Sequence, residues 1–188
     1  MDALGARPRH SHSAVGRGGV AQRIARLLAA SLLIFLVQPI APSHADGNDW
    51  GLNGTFRAQS NGEWAQTNDS YRDEQTVIAT WTVSTTCTTR FDCVGDVASN
   101  QGWTAPLYTK SGTFYVKHIV PQWEPCPDGS RSDGLQVFHF YPARPDGNGD
   151  MTSTELFMGE DTTTGISGAC GISKPLVVKI PFKLAKVG

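Results

Sequence analysis

The sequence predicts an all-β domain of about eight antiparallel strands, in which an up-and-down barrel of the lipocalin or avidin kind is preferred to a two-sheet sandwich. Three observations carry this. Apolar residues recur with a period of two through most of the chain. Clusters of Gly, Asn, Asp and Ser punctuate those runs. No long stretch has a helical period, and strands in succession without helices argue for all-β architecture. Closure into a barrel removes the exposed edges that an open sheet leaves.

The clearest strands are 76–84 and 175–184. In the first, Val77, Ala79, Trp81 and Val83 share one face, while Ile78, Thr80, Thr82 and Ser84 share the other. In the second, Leu176, Val178, Ile180, Phe182 and Leu184 alternate against Val177, Lys179, Pro181 and Lys183. Such alternation is the mark of a strand with one face buried. Weaker runs cover 54–59, 91–98, 103–109, 113–120, 135–142 and 152–161. Turns follow at Asn100-Gln101-Gly102, Lys110-Ser111-Gly112 and Asp146-Gly147-Asn148-Gly149-Asp150. Pro181 inside the last strand suggests a bulge or the barrel rim. Residues 62–73 suggest at most one helical turn, weakened by glycine and asparagine.

The chain of 188 residues has two unlike parts. Arg23 and Arg26 precede an apolar run, 27–37, followed by Pro39, Pro42 and Ser43-His44-Ala45. A basic flank, a short apolar core and small residues at −3 and −1 read as a secretory signal over 1–45, cut after Ala45. Val20 is an alternative start. Residues 46–54 are polar and glycine-rich, a flexible lead-in, and 55–188 form the single β domain. After Ala45 the chain carries eleven basic and sixteen acidic side chains. That balance is a poor fit to nucleic acid, whose binding rests on phosphate neutralisation. No later segment approaches the roughly 20 apolar residues of a transmembrane span.

All four cysteines, Cys87, Cys93, Cys126 and Cys170, lie in the exported part. Outside the cytoplasm an even count suggests disulfides, and four cysteines allow three pairings. Cys87 and Cys93 flank a short turn and favour a local bridge, which leaves Cys126 with Cys170. A metal site fails on spacing, because no C-x-x-C pair and no neighbouring histidine is present.

The segments Asn53-Gly-Thr-Phe56, Trp81 to Cys87, Asp92 to Val97, Glu124-Pro-Cys126-Pro-Asp-Gly129, Ala169-Cys170-Gly171 and the close from Val177 to Gly188 resemble a family of small secreted mycobacterial proteins. Similar segments form the extracytoplasmic part of some mycobacterial serine/threonine kinases. The resemblance spans nearly the whole exported chain. It implies a disulfide-stapled β domain in or outside the cell envelope. It carries over only the four cysteines, as structural residues, and it implies neither catalytic residues nor a cofactor. The kinase domain is absent here, so no phosphoryl transfer follows.

Other constellations are weaker. His118 and His139 fall on adjacent predicted strands, but metal or haem ligation would need a third ligand. Gly165-Ile-Ser167-Gly-Ala169 nearly spells a nucleophile elbow, yet it lacks the second-place glycine and the following helix. Asp146, Asn148 and Asp150 occupy the first positions of a calcium loop whose glycine and final glutamate are missing. The acidic pairs Asp73-Glu74 and Glu160-Asp161 read as solvated charge at strand edges. The aromatics on predicted strands say more. An eight-stranded barrel is filled by side chains or holds one small ligand, and Trp81, Trp103, Phe138 and Phe140 are the candidate cavity residues. Trp64 and Trp123 fall in predicted loops, where an exposed tryptophan can anchor a partner.

The sequence therefore points to an exported, non-catalytic binding or sensor-like module of the cell envelope. Its partner is a hydrophobic or glycan envelope ligand, or a protein. A secreted hydrolase with an unrecognised site and a purely structural envelope protein are the alternatives.

Overall fold

A computed structural model describes residues 50–187. The expected export signal and residues 46–49 of the lead-in lie outside them. The strands are β1 (Gly54–Ser60), β2 (Gln66–Thr67), β3 (Ser70–Tyr71), β4 (Val77–Thr89), β5 (Asp92–Ser99), β6 (Thr104–Lys110), β7 (Thr113–Pro125), β8 (Arg131–Pro142), β9 (Leu156–Gly165) and β10 (Val177–Lys186). Eight of these, β1 and β4 to β10, form a closed antiparallel barrel, with each neighbour hydrogen-bonded in sequence and β1 pairing back onto β10. The expected barrel is thus the architecture.

Element bounds differ in several places: β4 runs five residues past the predicted 84, and β8 begins four before the predicted 135. The predicted helical turn at 62–73 is a three-residue 3-10 turn, Gly62–Trp64, followed by the small β2–β3 hairpin on the edge of β10. β9 begins and ends four residues later than the predicted 152–161, because residues 143–155 continue the preceding loop. β7 runs on to Pro125 through a bulge between Val120 and Glu124, where Gln122 takes a φ of 52°. Trp123, expected in a loop, therefore lies within this strand.

Alternation decides what fills the interior. Phe56, Trp81, Val83, Val97, Leu107, Phe114, Val116, Phe138, Phe140, Phe157, Phe182 and Leu184 all point inward and are buried. Leu52 is buried with them, below the start of β1. The outward residues between are mostly polar, so a one-residue slip would expose the whole apolar set. Aromatic rings dominate the middle layer. Trp81 meets Phe138 edge-on at 4.9 Å between centroids, and it also contacts Trp103, Phe140 and Phe182.

Pro181 sits where β10 changes neighbours. Its carbonyl accepts from the Asn61 N–H just after β1 ends. Nitrogen and carbonyl of one strand residue face the same side, so the missing N–H falls in the gap between β1 and β2. The two disulfides are Cys87–Cys93 and Cys126–Cys170. The first closes the β4–β5 hairpin at one end of the barrel. The second joins the end of β7 to the β9–β10 loop at the other.

Candidate functional site

The two ends of the barrel differ. At the end holding Cys87–Cys93, rings and aliphatic chains fill the interior. At the other end the strands open on a pocket of about 420 Å³. Its walls include Val120 and Trp123 from β7, Thr163 from β9, and Leu176, Val178 and Ile180 from the β10 arm. Glu74 and Gln75, just before β4, and Gln101, between β5 and β6, complete the rim. Beneath it a void of only about 20 Å³ remains among Trp81, Phe138, Phe182 and Asp161. Val77, Gln101, Gln136 and Asp161 border both spaces, so the void continues the pocket inward.

Asp161 is the chemical centre of this end. Its inward position on β9 follows from alternation with Phe157, and it is only 3% exposed. Ser60 Oγ donates to Oδ2 at 2.7 Å, and Gln136 Nε2 reaches both carboxylate oxygens at 2.8 Å. These are neutral donors. The ion pairs among the described residues, Arg144–Asp146 and Lys179–Asp69, lie elsewhere on the surface. Burial pushes the Asp161 carboxyl up to about 6, an effect that the Ser60 and Gln136 hydrogen bonds oppose and the nearby Glu160 charge adds to. A buried charge is ordinarily paired or neutralised, and Asp161 has no cationic partner among the described residues.

Trp123 closes one side of the pocket, and Gly134 makes room for its indole. Gly134 of β8 and Gly165 of β9 are register partners. A Cβ on Gly134 would stand 2.8 Å from Trp123 Cε3 and 2.9 Å from the Thr163 methyl. At Gly165 it would run into the Glu124 carboxylate. The bulge in β7 turns Trp123 onto this seat. Arg131 Nε donates to the Gln122 carbonyl at 2.7 Å and Asp133 accepts from the Gln122 N–H at 2.8 Å, which fixes the bulge.

The residues singled out in the sequence are distributed as follows. Trp81, Trp103, Phe138 and Phe140 form one cluster below Asp161; Trp81 and Phe138 border the small void, while Trp103 and Phe140 pack behind them. His118 lies flat on Trp103 with centroids 4.1 Å apart, its Nδ1 near the Ile119 carbonyl and its buried Nε2 without a hydrogen-bond partner. His139 faces outward on β8 beside Tyr115, so the two histidines do not meet. Ser167 Oγ donates to the Ser173 carbonyl within the β9–β10 loop. Asp146 and Asp150 accept hydrogen bonds from Asn148 and Thr152, which hold both carboxyls below the usual range. Trp64 is 63% exposed on the 3-10 turn.

Sequence reasoning missed Asp161, Ser60 and Gln136 as a set. Asp161 was assigned to a solvated edge because the predicted strand stopped there. Carrying the alternation of Phe157 four residues further would have turned it inward.

Comparison with protein-family models and with curated proteins finds no match. Among solved structures, the chain is similar to the monomer form of the M. tuberculosis PknI sensor domain, at 16% identity and a TM-score of 0.52, covering 73% of this chain and 88% of that one. The structural neighbour is thus the sensor domain of a mycobacterial kinase, and the likeness is one of fold.

Proposed function

We propose that this barrel is an exported, non-catalytic binding module of the cell envelope that takes a small amphiphilic ligand in its open end, in the manner of a sensor domain. The pocket carries this reading. About 420 Å³ lies within the range of small-molecule sites, which are mostly apolar with a few placed polar groups. Here the apolar walls are Val120, Trp123, Leu176, Val178 and Ile180, and the placed polar group is Asp161 with Ser60 and Gln136. Trp81, Trp103, Phe138 and Phe140 make the rigid bed beneath.

The likeness to a sensor domain and the two disulfides support an extracytoplasmic place and a binding role. A cleaved signal over 1–45 would deliver the chain there. One observation favours a hydrolase instead: Glu74 and Asp161 line the same pocket, and paired carboxylates with a raised pKa serve glycoside hydrolysis. The binding reading is preferred because Ser60 and Gln136 already occupy the Asp161 oxygens, a fixed arrangement suited to recognition.

Native mass spectrometry of the oxidised protein recovered from its natural host tests the proposal. A co-purifying small molecule that is lost from a Trp123→Ala, Val178→Asp variant supports it. Ligand-free protein that takes up nothing from envelope extracts overturns it. Turnover of a glycan abolished by Glu74→Gln would replace it with the hydrolase reading.

A further inference from the structure

We infer that the barrel mouth selects ligands whose apolar body ends in a positively charged amine, with the Asp161 carboxylate as counter-ion at the base of the pocket. The inference rests on the binding reading above and adds the ligand class. Three observations converge on it.

The first is the missing partner. Asp161 is an almost fully buried acid whose hydrogen-bond partners are a hydroxyl and an amide. Neutral donors orient a carboxylate but leave its charge uncompensated. An ammonium group entering from the pocket would supply the compensation and the charge-assisted hydrogen bond. The second is the sign of the surroundings. The pocket lining contains the carboxylates of Glu74 and Asp161 and no lysine or arginine. Two negative charges around a low-dielectric space favour a cation and disfavour a fatty acid or a phosphate. The third is Trp123, whose indole lines the wall against Gly134. An indole and a carboxylate lining one pocket are a favourable setting for an organic ammonium, through cation–π attraction. The aliphatic walls of Val120, Leu176, Val178 and Ile180 then bury the apolar body.

Protonation couples to this site with a definite sign. The groups around Asp161 are Ser60 on β1, Gln136 on β8 with His118 beside it on β7, Glu74 at the rim, and Glu160 and Lys179 facing outward on β9 and β10. An amine needs the ionised carboxyl, which is present above about pH 6. Amine affinity should therefore fall about tenfold per pH unit below that value.

The test is calorimetric titration of the oxidised protein with octylamine, octanol and octanoate at pH 7.5 and at pH 5. The expected result at pH 7.5 is octylamine at least tenfold tighter than octanol, with octanoate weaker than both. The amine preference should shrink at least tenfold at pH 5 and disappear in Asp161→Asn. Octanol or octanoate equal to octylamine at pH 7.5 would overturn the ligand class and leave the pocket reading standing. An amine preference undiminished in Asp161→Asn would overturn the role of Asp161. Absence of binding by all three would sink both readings together. The pH dependence uses the unaltered protein, so the inference remains testable if the Asn variant does not fold.

Discussion

At the scale of single residues, the barrel mouth holds the sites where burial and chemistry conflict. The Asp161 carboxyl, ordinarily near 3.8, is pushed up by burial to about 6 in the folded protein. Between these values the folded state keeps a proton that the unfolded state has released. The contribution of this group to stability is therefore complete below about pH 4 and is lost as pH rises through about 6, a decrement of order 3 kcal/mol. Asp161→Asn removes that titration. Its melting temperature is expected to vary less than the parent's between pH 4.5 and 7, and parallel curves would contradict the buried acid. Gly134 gives a second residue-scale expectation. A side chain there meets Trp123 and the Thr163 methyl at under 3 Å. Gly134→Val should cost about 1–3 kcal/mol through overpacking and should weaken ligand uptake, read from denaturant midpoints and titration of the same variant. An unshifted midpoint would mean that the indole has another place to lie.

At the scale of elements, the two disulfides do different work. Cys87–Cys93 spans six residues and staples one hairpin, whereas Cys126–Cys170 spans 44 and fastens β7 to the loop before β10. In the chain-entropy account the long closure contributes about 4 kcal/mol and the short one about 2.4 kcal/mol. Serine replacement at Cys126 or Cys170 should therefore lower the melting temperature more than replacement at Cys87 or Cys93. Equal losses would refute the entropic ordering. The longer bridge also lies at the open end of the barrel, three residues along the chain from Trp123, so its removal should loosen Trp123 and reduce binding, a consequence the hairpin bridge does not share. The β10 strand was legible through the alternation of Leu176 to Leu184. The start of β9 was not, because Thr152 to Glu155 is polar throughout and carries no alternation to mark a boundary, while its backbone serves the loop, with Ser153 bonded to Leu156.

At the scale of the whole molecule, the barrel is graded from a filled aromatic end to an open polar one. That gradient predicts where the fold opens first. Amides in the middle of β4 and β8, flanking Trp81 and Phe138, should exchange only by global unfolding, whereas the 126–130 and 166–176 loops should exchange by local opening. Hydrogen exchange followed by mass spectrometry reads this, and uniform protection at both ends would argue against a pre-formed mouth. A closed eight-stranded ring also has no free edge except the short β2–β3 hairpin, where Lys179 pairs with Asp69 at 2.8 Å. Charge at that edge opposes pairing with another chain.

The sequence by itself determined the all-β class, the inward faces of 76–84 and 175–184, and the pairing of the cysteines. All three follow from near-neighbour spacing: a period of two marks a half-buried strand, and a six-residue separation favours a local bridge. Only the tertiary structure decided where the barrel is solid and where it is open. That outcome depends on which distant side chains share a layer, and Ser60, Gln136 and Asp161 come from three strands far apart in the chain. Likewise the indole seat requires a bulge in β7 to meet Gly134 of β8, a coincidence of register that no local pattern encodes.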